Sequence, residues 1–312
     1  MTTARTAAPT TVGSRIATYL RLGKARIYHH VYGWVLAALL LVRDGPVSAR
    51  QLLALALLLV MVLATQWSAA AADDIGGHRD GSDARNYAGR PPLTVVKKPL
   101  VTGALTEREA VRFAVWTWIV GVAAGIAAAV LVSAPPLAVA VLLVAQVVAV
   151  QYSLGLKLSY RPLGLEGTIL FTIACTALAP YWIAAGRVEP EILLMSLLVG
   201  LWFLLVVSYG NASDRAGDAE VGRRTMAVTL PPTAFAAVLH LFCLASAGTL
   251  ALLFTTTRFS PVLAFTAVPV VVLHVFQLYY GVYRRELRKA RFMGLLTVDL
   301  GCLGLVAALL AA

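Results

Sequence analysis

"QLLALALLLVMVLATQWSAAAA" occupies residues 51–72 and runs directly into "DDIGGHRDGSDARNY", residues 73–87. The first stretch carries no charge and is long enough to cross a hydrocarbon core of roughly 30 Å, so it reads as a transmembrane helix. The second sets Asp73, Asp74, Asp80 and Asp83 at the mouth of that helix. An apolar rod that delivers carboxylates to a membrane surface decides how the rest of the chain is read.

Further apolar stretches of similar length lie at about residues 28–43, 111–132, 135–155, 165–186, 191–210, 232–254, 260–282 and 292–311. With 60% hydrophobic and only 13% charged residues and a mean hydropathy of +0.81, the chain has more apolar surface than a soluble core uses. The reading is an all-α integral membrane protein of nine transmembrane helices. Residues 1–27 hold several basic residues and no small-residue cleavage site, so they are expected to remain as a cytoplasmic segment ahead of one domain over residues 28–312. Cap loops are expected at about residues 73–110 and 211–231. Cys175, Cys243 and Cys302 fall inside spans without metal or disulfide spacing and read as apolar filler.

Charge sets the orientation. With nine spans, one face holds 22 of the 26 Lys and Arg residues, and only Arg43, Arg50, Arg187 and Arg258 lie on the other. By the positive-inside rule the crowded face is cytoplasmic, with the N-terminus inside and the C-terminus outside. The basic excess therefore reports topology and lipid headgroups, not nucleic acid. Topology does not explain carboxylates among those basic loops, yet 11 of the 15 acidic residues share that face.

They concentrate after the second and the sixth span. In "SDRAGDAEVGRRTMAV", residues 213–228, Asp214 and Asp218 are four apart and share one face of a helix, about 5–6 Å between Cβ atoms. Magnesium suits such a pair, because it is held by one or two carboxylates together with substrate phosphates. Arg215, Arg223 and Arg224 then fit phosphate oxygens, and the whole reads as a diphosphate site. In the first stretch Asp73 and Asp80 share a face if the helix continues, Gly76, Gly77 and Gly81 permit a break, and Asp74 and Asp83 are alternatives. Lys97, Lys98, Arg79, Arg85 and Arg90 lie nearby. His78 reads as a solvated loop residue, and His29, His30, His240 and His274 as packed or interfacial side chains.

"DRAGDAEVGRRTMAV" resembles the second aspartate motif of the UbiA superfamily of intramembrane prenyltransferases, DxxxD followed by a Gly-Arg-Arg-Thr segment. "KPLVTGALT" and "QYSLGLKL" are similar to that family's elements after the first motif and after the fourth span. The first motif departs from the family's NDxxDxxxD: with Asp73 and Asp74 at the Asn-Asp places, Gly77 and Gly81 stand where the family has aspartates. The resemblance implies helices around a central cavity, and two Mg2+ ions bridging carboxylates to an isoprenyl diphosphate. Asp214 and Asp218, with Asn211 in support, are the expected ligands of one ion, and Asp73, Asp74, Asp80 and Asp83 the candidates for the other. Lys98, Lys157, Arg223, Arg224 and Arg85 are candidates for the diphosphate, and Tyr152 for the cavity wall.

The expected activity is Mg-dependent transfer of a prenyl group to an aromatic, quinone-type or other lipophilic acceptor. Cyclisation of the chain on itself is the second reading. A lipid-phosphate transporter or binding protein is the reading from another class, but transporters place ionisable groups near the midplane, where only Asp299 stands here. The expected location is a bacterial cytoplasmic membrane, with the active site facing the cytoplasm.

Overall fold

The computed structural model describes residues 12–89, 95–259 and 261–311, without side-chain detail for residues 12 and 261–263. Residues 1–11 of the expected cytoplasmic segment, Arg90 and the start of the eighth predicted span lie outside the described residues. Described residues form helices only: α1 (Val12–Leu22), α2 (Val31–Arg43), α3 (Ala49–Arg79), α4 (Ser82–Tyr87), α5 (Glu107–Leu131), α6 (Pro136–Val150), α7 (Gly164–Ala185), α8 (Pro190–Glu220), α9 (Met226–Thr229), α10 (Pro232–Thr256), α11 (Val268–Leu278) and α12 (Leu287–Ala311). Short 3-10 turns cover Leu158–Tyr160 and Pro261–Ala267, and a π-helical turn covers Tyr279–Tyr283.

Seven helical segments are long and apolar enough to cross a membrane: α3, α5, α7, α8, α10, Ala264–Tyr283 and α12. The protein is an integral membrane protein. α2 and α6 match the first and fourth predicted spans but are shorter, at 13 and 15 residues. Ser48 with Gln51 starts α3 and Thr106 with Glu109 starts α5, each a reciprocal capping box that satisfies the first backbone donors. Proline sits in the first turn of α6, α8 and α10, where a missing N–H costs nothing.

α8 is the central rod. It packs against α7, α12, α10 and α2, while α3 pairs with α5 and leans on α6 and α7. The largest core cluster, including Leu36, Leu40, Tyr181, Leu198, Trp202 and Val298, joins α2, α7, α8 and α12. In lipid such contacts replace the hydrophobic effect as the source of association.

Two of the four basic residues off the crowded face, Arg187 and Arg258, have a structural explanation. At the ends of α2, α7 and α10 and the start of α8, Arg187 and Arg258 each lie 3.1 Å from Asp44, whose carboxylate also accepts from Tyr181 Oη. Arg258 further meets Glu191 at 3.0 Å, and Arg187 meets Glu189 at 2.6 Å. Asp44→Ala would leave the fully buried Tyr181 hydroxyl unpaired, so it is expected to destabilise the fold by about 1–3 kcal/mol. Thermal unfolding in detergent reads this, with Tyr181→Phe as the milder companion. An Asp44→Ala midpoint equal to wild type would mean that this clasp contributes nothing.

Candidate active site

α3 and α8 are both 31 residues long, and each carries its aspartates past the end of its apolar run. Asp73 and Asp74 therefore sit on helix, not in the loop expected from residue 73. Asp80 caps α3, and Gly81, at φ 76°, turns the chain left-handed into α4. The Asp80 Oδ1 atom accepts the Ser82 N–H at 2.8 Å and fixes that corner. α4 then folds Asp83 back against α3: a Cβ at Gly77 would lie 2.7 Å from the Asp83 carboxyl carbon. Glycine at 77 is thus the condition for Asp83 to enter the site.

Three cations hold these carboxylates. Lys98 Nζ is 2.8 Å from both Asp74 Oδ1 and Asp83 Oδ2. Lys24 Nζ is 2.8 Å from Asp73 Oδ2 and 3.3 Å from Asp74 Oδ1. Arg223 joins the two acidic segments: its guanidinium lies 3.2 Å from Asp80, 3.9 Å from Asp73 and 4.0 Å from Asp218. Its own N–H donates to the Asp218 carbonyl at 2.9 Å, and the Arg224 N–H donates to the Ser159 carbonyl at 2.9 Å, so the loops after α6 and α8 are stitched together. From the first of them Tyr160 Oη donates to Asp80, and Ser153 Oγ to Asp73 at 3.2 Å.

Burial raises the Asp80 carboxyl, but hydrogen bonds from Tyr160 and Ser82 and the Arg223 charge hold it below the usual carboxylate range. Asp80 is thereby kept ionised. The Tyr160 phenol, by burial and its bond to Asp80, is pushed up to about 12 and stays a donor. Burial disfavours the Lys98 charge and Lys24 repels it, yet Asp74, Asp83 and Asp73 outweigh both and hold the ammonium above the ordinary lysine value. Asp83 goes the other way: burial raises its carboxyl despite Lys98.

The structure brings Asp73, Asp74, Asp80, Asp83, Asp218, Lys98 and Arg223 into one connected cluster. Asp214 lies one turn before Asp218 on α8 and adds to the negative potential there. Asn211, another turn back, has a buried side-chain nitrogen without a hydrogen-bond partner among the described residues, and the buried Asp74 Oδ2 oxygen has none among them either. Tyr152 neighbours Asp73, Arg223 and Asp218. Three expected diphosphate contacts stay outside the cluster. Lys157 is exposed over the Tyr160 ring, the Arg224 side chain is exposed, and Arg85 pairs with Glu220 at 3.4 Å on the rim. Lys24 and Tyr160 were not legible in the sequence. Lys24 stands in a basic segment that topology already accounts for, and Tyr160 looks like an interfacial aromatic.

Among the described residues no group of three or more Asp, Glu, His or Cys is spaced to hold a metal unaided. Magnesium does not ask for one, since it keeps waters and is held by one or two carboxylates plus substrate phosphates. Hard oxygen donors, an orphaned Asp74 oxygen and adjacent cations for phosphate are a donor set that fits Mg2+ with a diphosphate.

The model of the UbiA prenyltransferase family matches residues 31–297. The chain belongs to the UbiA prenyltransferase family. Its fold is similar to a UbiA homologue from Archaeoglobus fulgidus bound to DMAPP and Mg2+ (TM-score 0.64, 14% identity, 93% of this chain and 99% of that one). It is also similar to the apo UbiA homologue from Aeropyrum pernix K1 (TM-score 0.66, 16% identity, 94% and 98%). A third similar structure is described in terms of digeranylgeranylglyceryl phosphate synthase (TM-score 0.67, 12% identity, 96% and 99%). Among curated proteins no sequence matches significantly. In this UbiA chain Gly77, which the resemblance sets at a first-motif aspartate position, packs against the carboxyl group of Asp83, six residues further on.

Proposed function

We propose that the protein ionises an isoprenyl diphosphate within the membrane, with Mg2+, and transfers the prenyl group to an aromatic, quinone-type or other lipophilic acceptor. The observation that carries this reading is Arg223, one buried guanidinium facing carboxylates from both acidic segments at the same end of the helix bundle. A site with that charge distribution binds a polyanion through metal and guanidinium together. Family membership supports it, and so do the similar folds of the Archaeoglobus homologues bound to DMAPP or GPP with Mg2+.

In this proposal residues 28–312 form one nine-span domain around a central cavity. α2 and α6 cover about 20–23 Å at about 1.5 Å per residue and complete their crossing with adjoining turns and a locally thinned bilayer. The positive-inside bias puts the N-terminus and the aspartate cluster on the cytoplasmic side and the C-terminus outside.

Asp214 and Asp218, with Asn211, would hold one Mg2+, and Asp73, Asp74, Asp80 and Asp83 supply the ligands of a second. Magnesium contributes Lewis-acid stabilisation of the charge on the departing diphosphate. Lys24, Lys98 and Arg223 turn from the carboxylates to phosphate oxygens as the substrate arrives, so their charge faces the leaving group as the C–O bond breaks. Lys157, Arg224 and Arg85 draw the anion in from the rim. The apolar walls of α3 and α8 exclude water that would capture the allylic cation.

The test is release of diphosphate from geranyl, farnesyl and geranylgeranyl diphosphates by purified protein, with and without Mg2+ and an aromatic acceptor, alongside Asp214→Ala and Asp218→Ala. Mg-dependent release coupled to a prenylated acceptor, lost in both variants, is expected. Cyclised hydrocarbon without acceptor would replace transfer by cyclisation, and turnover indifferent to both aspartates would overturn the metal site.

A further inference from the structure

Asp299 lies midway along α12, far from the aspartate cluster in sequence and deep in an apolar helix. Ionisable groups at such depth are rare and face a partner or a cavity. Here Oδ1 accepts from Tyr32 Oη at 3.1 Å and Tyr28 Oη at 3.3 Å, and His29 Nε2 stands 3.5 Å away. His29 is stacked on Tyr28 at 4.5 Å between ring centres and meets Phe203 of α8 edge-on at 6.2 Å. The His29 side chain is only 8% exposed, yet its Nδ1 has no hydrogen-bond partner among the described residues. Asp299 keeps 23% of its side chain accessible and Tyr28 is exposed, so the cluster can be reached where α2 and α12 meet.

We propose that Tyr28, His29, Tyr32 and Asp299 form a second polar site, which binds the hydroxyl group of a phenolic acceptor arriving from the bilayer and takes up its proton. The carboxylate accepts the ligand's O–H, the aromatic walls hold its ring, and His29 Nε2, 3.5 Å from that carboxylate, gives the proton a resting place. Phe203 precedes Asp214 by eleven residues on α8, about 16 Å at about 1.5 Å per residue, which separates this site from the metal ligands along the bundle. For transfer, a ring anchored here has to present its far edge toward the diphosphate end.

The inference rests on the prenyl-transfer reading. As the allylic C–O bond breaks, its electron pair leaves with the diphosphate, and a ring carbon of the phenol gives a pair to the allylic carbon. The O–H proton passes to the His29–Asp299 pair. The resulting dienone regains aromaticity when its ring proton moves to oxygen, so one proton and one diphosphate are released per bond formed.

Equilibrium dialysis of the detergent-solubilised protein against 2-naphthol and 2-methoxynaphthalene tests the site, with Mg-dependent binding of geranyl thiodiphosphate as the separate readout. Wild type is expected to prefer 2-naphthol by about tenfold, the worth of one buried hydrogen bond. Asp299→Asn and His29→Gln are expected to erase that preference while the thiodiphosphate still binds. Equal wild-type affinity for the two probes, or a preference kept by both variants, overturns the proposal. If a variant also loses the thiodiphosphate, the wild-type comparison and Tyr32→Phe decide. Failure of the thiodiphosphate to bind wild type would instead strike the diphosphate reading.

Discussion

Arg223→Ala is expected to lower Mg-dependent diphosphate release by about 10²–10³-fold, the usual cost of removing one preorganised donor from a site where negative charge develops. Two effects combine. The leaving diphosphate loses a bidentate partner, and Asp73, Asp80 and Asp218 lose the guanidinium that faces all three. Breaking a buried ion pair from one side costs about 3–5 kcal/mol, so the unloaded variant should also unfold earlier. Added Mg2+ should raise its unfolding temperature more than that of wild type, because the freed carboxylates gain a cation to bind. Arg223→Lys should recover only part of the rate, since one ammonium cannot reproduce the planar fork. Activity of Arg223→Ala within a few-fold of wild type, with no altered response to Mg2+, would remove Arg223 from the centre of the site.

Asp83→Ala is expected to cost about 10²-fold in the same assay, as loss of one charged group that orients a metal-bound substrate does. The glycine it packs against makes the experiment sharper. Gly77→Asp alone places a side chain where the Asp83 carboxyl carbon would be 2.7 Å from its Cβ, so it should destabilise the fold. In the double variant Gly77→Asp, Asp83→Ala the clash is gone and a carboxylate again faces Lys98, now from α3. Recovery of at least about tenfold over Asp83→Ala is expected, as for a charged hydrogen bond restored. A double variant no better than Asp83→Ala alone would mean that Asp83 acts by holding α4, not as a ligand.

These experiments turn on residues with different legibility. Asp214 and Asp218 were readable because a four-residue spacing on a helix means one face whatever the surroundings, and α8 does run through both. For the first stretch the sequence left Asp73, Asp74, Asp80 and Asp83 open, because three glycines allowed the helix to stop at several places. The left-handed backbone at Gly81 and the close approach at Gly77 settle where it turns. Lys24 and Tyr160 carried no signal, since a lysine in a basic segment and a tyrosine near a span end have sufficient local reasons to be there.

What the sequence by itself determined is everything that depends on neighbours along the chain. Apolar runs long enough to cross a bilayer became helices near the expected residues, because backbone groups in lipid must bond within their own segment. The tertiary structure alone decided which cation meets which carboxylate. Lys24 and Asp73 are 49 residues apart, Arg223 and Asp80 143, and Tyr32 and Asp299 267. Such pairs form because packed helices bring their ends or midpoints together and burial leaves a charge no water to turn to, a condition that no local spacing records.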